Sequence, residues 1–148
     1  MVDGGHQHRL EDLLRVRDAQ EKAAAAKFGE AIIASQAAAQ AVRDCEDERQ
    51  RAFADWLDLL QANQPDPTLA ALRGRWLVQQ QEKLQSEELN SAIVDKRRDR
   101  SRNEYSSALA LTAAAKKKYA QIQTSVAKKQ EEIESLRLAD AWLWRSEK

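Results

Sequence analysis

The residue types that most often carry chemistry in proteins are few in this sequence and lie far apart. Imidazoles occur only at His6 and His8, and the single thiol is Cys45. A zinc site needs three or four such ligands on one scaffold, and one cysteine cannot form an internal disulfide. We therefore expect no metal and no cofactor, and we expect Cys45 to be a small apolar residue between helices.

Motifs for catalysis are missing as well. The sequence has no glycine-rich phosphate loop, no Lys-Ser/Thr pair of the Walker type and no nucleophile beside a base. Carboxylates are abundant, but abundance on helices is the ordinary composition of a solvated surface. The sequence predicts that the chain is not an enzyme.

The densest charge cluster is a basic run that places five cations within seven residues: Lys96, Arg97, Arg98, Arg100 and Arg102. Such a run can contact phosphates or an acidic protein surface, or it can be a solvated helix face. Asp95, Asp99 and Glu104 interrupt or flank it, no aromatic residue is interleaved, and the formal net charge is +0. These features argue against nucleic acid and leave an acidic protein partner or a solvated face.

The elements that position these residues follow from composition. Only four glycines and two prolines occur, and no β-branched run alternates in the manner of a strand, so the chain is predicted to be all-α. The one strong break is Asn63-Gln64-Pro65-Asp66-Pro67, in which Asp66 can cap a helix whose first residue is Pro67. We predict a single domain over residues 1–148, with a disordered start at 1–7, helix 1 over about 8–62, a turn at 63–66 and helix 2 over about 67–145.

A heptad stripe on each side of the turn predicts a long antiparallel two-helix coiled-coil hairpin. Residue i of helix 1 should lie opposite roughly residue 131 − i of helix 2, which sets Lys96–Arg102 opposite the alanine-rich segment 29–35. Residues 1–62 carry eight basic and twelve acidic side chains and residues 63–148 carry sixteen and twelve, so the halves attract. The predicted stripe of helix 1 is Phe28, Ile32, Ser35, Ala39, Val42, Glu46, Arg49, Phe53, Trp56 and Leu60. That of helix 2 begins with Leu69, Leu72, Trp76 and Leu77 and continues with gaps through Ala108, Leu111, Ala115, Lys118, Ile122, Val126, Lys129, Ile133, Leu136 and Leu143.

The two ends of such a hairpin are predicted to differ. Beside the turn, Phe53, Trp56, Leu60 and Trp76 should form a cluster that fastens the helices together, which we call the turn cluster. At the other end, helix 2 extends some 25 residues beyond the pairing reach of helix 1. That overhang carries Ile133, Leu136, Trp142, Leu143 and Trp144, an apolar content that predicts binding of a partner.

The opening segment Leu10-Glu11-Asp12-Leu13-Leu14-Arg15-Val16-Arg17, followed by Ala19, Glu21 and an alanine-rich heptad stretch, resembles the FliJ/YscO/HrpO family. These are small coiled-coil proteins of type III secretion and flagellar export, and the resemblance extends to helix lengths and turn position. It implies a stalk that enters the export ATPase ring and contacts the export gate and chaperones, in the cytoplasm or at the inner membrane face of the apparatus. Leu10, Leu13, Leu14, Val16 and Arg17, with the end of helix 2, would face the ring. The Trp142-Leu143-Trp144 end departs from the family.

The alternative is a structural coiled-coil scaffold that self-associates, with the overhang of helix 2 paired with a second copy. With either function, the chain is expected to be a monomer or a weak dimer. It is not expected to insert into a membrane, since no apolar stretch approaches the roughly 20 residues needed to span a bilayer. Association with an ATPase would separate the two readings.

Overall fold

The computed structural model describes residues 4–147, and these form two helices. Helix α1 spans Gly4–Gln61 and helix α2 spans Pro67–Ser146, with no strand in the described range. The two helices pack against each other as an all-α hairpin, which confirms the predicted fold class. Helix α1 begins at Gly4 rather than near residue 8, so residues 4–7 are helical; residues 1–3 of the predicted start lie outside the described residues.

The turn has the predicted mechanism. The Asp66 carboxylate accepts hydrogen bonds from the backbone N–H groups of Thr68 (2.9 Å) and Leu69 (3.3 Å), and its carbonyl accepts one from Ala70 N–H at 3.0 Å. Asp66 is therefore the N-cap of α2, and Pro67 occupies the first helical position, where a missing N–H costs nothing.

Contacts between α1 and α2 follow the predicted antiparallel register to within about two residues. Lys83 pairs with Glu48 at 3.5 Å, Ser35 with Asp95 at 2.7 Å and Lys27 with Glu104 at 3.3 Å. These belong to one compact unit, residues 25–104. The second unit combines α1 up to Ala24 with α2 from Tyr105, and in it Thr112 Oγ1 donates to the Arg17 carbonyl at 3.3 Å.

The interface between the helices, here called the seam, buries mainly small and polar side chains, and its large apolar members other than Leu84 are half-buried. Its buried members are Ser35, Ala38, Cys45, Ala52, Gln80, Leu84 and Ser101 in the 25–104 unit and Thr112 in the other. Leu84 is the one large aliphatic residue among them. A two-helix hairpin covers each helix from one side only, so a small residue can be enclosed there whereas a large one keeps one side in solvent.

The predicted stripe of α1 is right at most positions and wrong at three, since Glu46, Phe53 and Leu60 are exposed whereas its other members are buried or half-buried. The buried residues of α1 are Ser35, Ala38, Cys45 and Ala52, and half-buried residues that include Phe28, Ala31, Val42, Arg49, Trp56 and Leu59 continue their spacing. Ala52 thus takes the place predicted for Phe53, and Leu59 the place predicted for Leu60. On α2, the predicted Leu69, Leu72 and Trp76 are exposed and only Leu77 of the first four is half-buried. Further along, Thr112 and Tyr119 replace the predicted Leu111 and Lys118, which are exposed.

The turn cluster does not form the predicted apolar fastening. Phe53, Leu60 and Trp76 are 44%, 45% and 49% exposed, and only Trp56 is half-buried. The Phe53 and Trp56 rings remain neighbours, with centroids 6.2 Å apart and planes tilted by 43°. Phe53, Leu60 and Trp76 each lie one position off the seam, so each keeps much of its surface in solvent.

Candidate protein-docking surfaces

The most exposed apolar part of the described chain is residues 127–147, here called the C-terminal segment, which comprises the end of α2 and the turn residue that follows it. Every residue in it is exposed, as predicted for an overhang beyond the reach of α1. Its large apolar side chains are exposed by half to three quarters: Ile133 50%, Leu136 66%, Leu138 72%, Trp142 69%, Leu143 54% and Trp144 74%. Exposed large apolar side chains at this density mark an interaction surface, because solvated helices rarely carry them.

The predicted N-terminal docking residues divide between two faces of α1. Leu10, Leu14 and Arg17 are half-buried, and the Arg17 carbonyl accepts the hydrogen bond from Thr112, so these three belong to the seam. Leu13 and Val16 are 42% and 52% exposed. Of the five side chains, Leu13 and Val16 are thus the two presented to solvent.

The basic run divides in the same way. Arg98 is directed into the seam, where its guanidinium donates to Ser35 Oγ at 3.0 Å and to Asp99 at 3.3 Å and lies 3.6 Å from Asp95. Ser35 in turn donates to Asp95 at 2.7 Å. Arg102 lies 3.8 Å from Asp99. Two of the five cations are therefore matched by carboxylates of the same run and contribute little positive potential.

Lys96, Arg97 and Arg100 remain on the exposed surface. Arg97 and Arg100 line a shallow groove of about 400 Å³ that also contains Lys27, Glu30 and Glu104. The placement opposite residues 29–35 agrees with the predicted register. Carboxylates within the groove reduce its net charge, so this surface is a weaker anion site than the sequence suggested.

The residues considered for metal chemistry are not brought together. Cys45 is 4% exposed in the seam, and the His8 ring nitrogen lies 3.6 Å from Glu11 on an exposed face. His6 is exposed on the same helix. Between residues 4 and 147, no three His, Cys, Asp or Glu side chains are grouped so that they could hold a metal ion.

Comparisons with known proteins provide no family assignment. No family model, curated protein or solved structure matches the chain. Within the described residues, neither helix has a stretch sufficiently long and apolar to cross a bilayer. The candidate surfaces therefore rest on geometry and exposure.

Two features of the seam were not found from the sequence. Gln80 is 4% exposed, and its Oε1 atom is buried without a hydrogen-bond partner. The Nε atom of Arg49, a residue of the predicted stripe, is also buried without a hydrogen-bond partner. Ser101 and Thr112 are buried as well. The 3-4 spacing of these residues with Ala38, Cys45 and Ala52 was the available signal, but it is visible only if small polar residues are counted as interface residues.

Proposed function

We propose that this chain is a non-catalytic protein-docking hairpin whose principal partner surface is the C-terminal segment of α2. The observation that carries the proposal is the exposure of six large apolar side chains on a stretch of helix that α1 does not cover. Two tryptophans are among them, and tryptophan is the residue type most enriched in the energetic centres of protein interfaces. A helix presented in this way can enter an apolar groove of another protein.

The specific form that we propose is a stalk or adaptor of a type III secretion apparatus, with the export ATPase ring as first partner and the export gate and chaperones as further ones. Its support is the resemblance of the Leu10–Arg17 segment, together with the hairpin fold. The unit that contains Leu13 and Val16 is also the unit that contains the C-terminal segment. Both sets of exposed apolar residues are thus available to one ring-facing end in the cytoplasm.

The test is capture of the cognate export ATPase by the full-length hairpin, with ATP turnover as a second readout. The double variant Trp142→Ala/Trp144→Ala should lose most of the capture, because truncating central interface tryptophans typically costs at least about 2 kcal/mol each. Deletion of residues 130–148 or 1–17 should have the same effect.

The matched control is Ile33→Ala/Leu89→Ala, since both side chains are 68% exposed in the 25–104 unit. This variant removes two equally exposed, though smaller, apolar side chains outside the C-terminal segment and should bind normally. Capture and turnover that are unaffected by both deletions would refute the ATPase assignment. Equal loss in the control and the tryptophan variant would refute the C-terminal segment as the docking surface.

A further inference from the structure

The C-terminal segment carries a second pattern, which concerns charge as well as exposure. In the packed part of α2, Tyr119, Ile122 and Val126 lie on the seam at alternating spacings of three and four residues. The same spacing continues without a break through the C-terminal segment, along Lys129, Ile133, Leu136, Asp140, Leu143 and Glu147. The helix therefore extends an interface face beyond the end of its intramolecular partner.

This face is self-complementary about Leu138. If a second copy lies antiparallel to it, Lys129 faces Glu147, Ile133 faces Leu143 and Leu136 faces Asp140, and each pair occurs twice because of the two-fold symmetry. Lysine meets glutamate and isoleucine meets leucine in four of the six layers, whereas the two Leu136–Asp140 layers set an apolar side chain against a carboxylate. Arg137 follows Leu136 directly, so it flanks Asp140 of the second copy and can pair with its carboxylate.

A parallel arrangement would have the opposite consequence. Lys129, Asp140 and Glu147 would each lie opposite the identical residue of the second copy, which places like charges together in three of the six layers. The charge pattern thus selects the antiparallel pairing, much as interfacial charges select partner and orientation in coiled coils.

We propose that two copies of this chain associate through their C-terminal segments as an antiparallel helix pair. The overlap from residue 129 to residue 147 is about 27 Å long at 1.5 Å per residue. Such a short two-helix interface is at the small end of specific interfaces, so the dimer forms in the micromolar range. Pairing covers Ile133, Leu136 and Leu143 and leaves Leu138 and Trp142 on the opposite face.

The experiment is sedimentation velocity of the full chain from about 1 to 300 µM, a range that brackets a micromolar equilibrium. Lys129→Glu or Glu147→Lys should each weaken the dimer about tenfold, because one substitution turns two attractive layers into repulsive ones. The double variant Lys129→Glu/Glu147→Lys should restore the original affinity, and high salt should reduce both single-variant effects.

Glu134→Lys is the matched control, since it makes the same charge change on the opposite face of the helix and should leave the equilibrium unchanged. A chain that stays monomeric over the whole range overturns the proposal. So does a dimer whose affinity the single reversals do not change, as a parallel pair would behave. Trp142→Ala should weaken capture of the export ATPase without changing self-association, so failure of either proposal is recognised independently of the other.

Discussion

Gly29 and Gly74 both lie within helices, but their surroundings differ. A methyl group added at Gly29 would have no atom within 4 Å, whereas one at Gly74 would lie 3.4 Å from Nε1 of Trp56. Gly29 is therefore not required by close contact between the helices. Gly74 does lie close to the other helix, but the nearest atom belongs to the side chain of Trp56 and not to the backbone.

Gly29→Ala should stabilise the hairpin by about 0.5–1 kcal/mol, because alanine loses less backbone entropy than glycine on entering a helix. Gly74→Ala should stabilise it by no more than this, since the added methyl group would lie at the short limit of ordinary van der Waals contact with the indole. Thermal unfolding of the two variants beside the parent protein measures both effects. A larger gain at Gly74 than at Gly29 would contradict this account of the contact.

Arg98 and Arg100 belong to the same basic run but have different roles. Arg98 makes hydrogen bonds to Ser35 and Asp99, whereas Arg100 lines the exposed groove. Arg98→Met should lower the free energy of unfolding by about 1 kcal/mol, because it leaves carboxylates at the seam without their cation. Arg100→Met should change it little.

Urea unfolding of the two variants at low and at high salt provides the measurement. The difference between them should shrink as salt rises, because the Arg98 and Asp99 side chains are 38% and 50% exposed and so are partly screened. Equal destabilisation by both substitutions would show that the network at Ser35 does not hold the helices together.

The N-terminus of helix α2 depends on one side chain, that of Asp66. Asp66→Ala should cost about 1 kcal/mol, because two backbone N–H groups, those of Thr68 and Leu69, lose their acceptor. Asp66→Asn keeps an acceptor at the same place and should cost less. Circular dichroism during thermal unfolding tests this order, and an asparagine variant as unstable as the alanine variant would argue against the cap.

The turn and the register could be predicted from the sequence because they depend on residues with strong local preferences. Pro65 ends a helix, Asp66 caps one, and the short connection then fixes which residues lie opposite. The exact seam could not be predicted in the same way. A search for large apolar residues favours Phe53 and Leu60, whereas the interface uses their neighbours Ala52 and Leu59.

The candidate docking surfaces could likewise be predicted from the sequence only in part. The exposure of the C-terminal segment followed from comparing the lengths of the two helices, which the turn position determines. The roles of Leu10 and Leu14 did not follow, because Leu13 and Val16 are equally apolar and only the phase of α1 distinguishes the four. Similarly, the engagement of Arg98 depends on its orientation towards Ser35, which composition does not reveal.

For the whole molecule, the important quantity is how little surface is buried. The chain exposes 11784 Å², against about 7,700 Å² for a globular protein of 16.8 kDa. Taking the unfolded chain at about 24,000 Å², unfolding exposes about three quarters of the surface that a globular domain of this mass would expose. The small side chains buried in the seam and the uncovered C-terminal segment account for this, because neither buries much area.

The urea dependence of the unfolding free energy should accordingly be about three quarters of that of a globular domain of equal length, since the m-value scales with exposed surface. The measurement belongs at low micromolar protein or below, where self-association adds no buried area. An m-value equal to that of a globular domain would mean that the chain buries surface beyond the contacts between α1 and α2.

The single turn also dictates an order of assembly. Contacts near Pro65 close short loops, with 35 residues separating Glu48 from Lys83, whereas 95 separate Arg17 from Thr112 and 108 separate Glu11 from Tyr119. Because loop closure costs more entropy for longer loops, pairing should begin beside the turn and propagate away from it. Stopped-flow kinetics would then show Leu84→Ala slowing folding and Thr112→Ala mainly accelerating unfolding. The N-terminal end of α1 would be the last part to pair and the first to open.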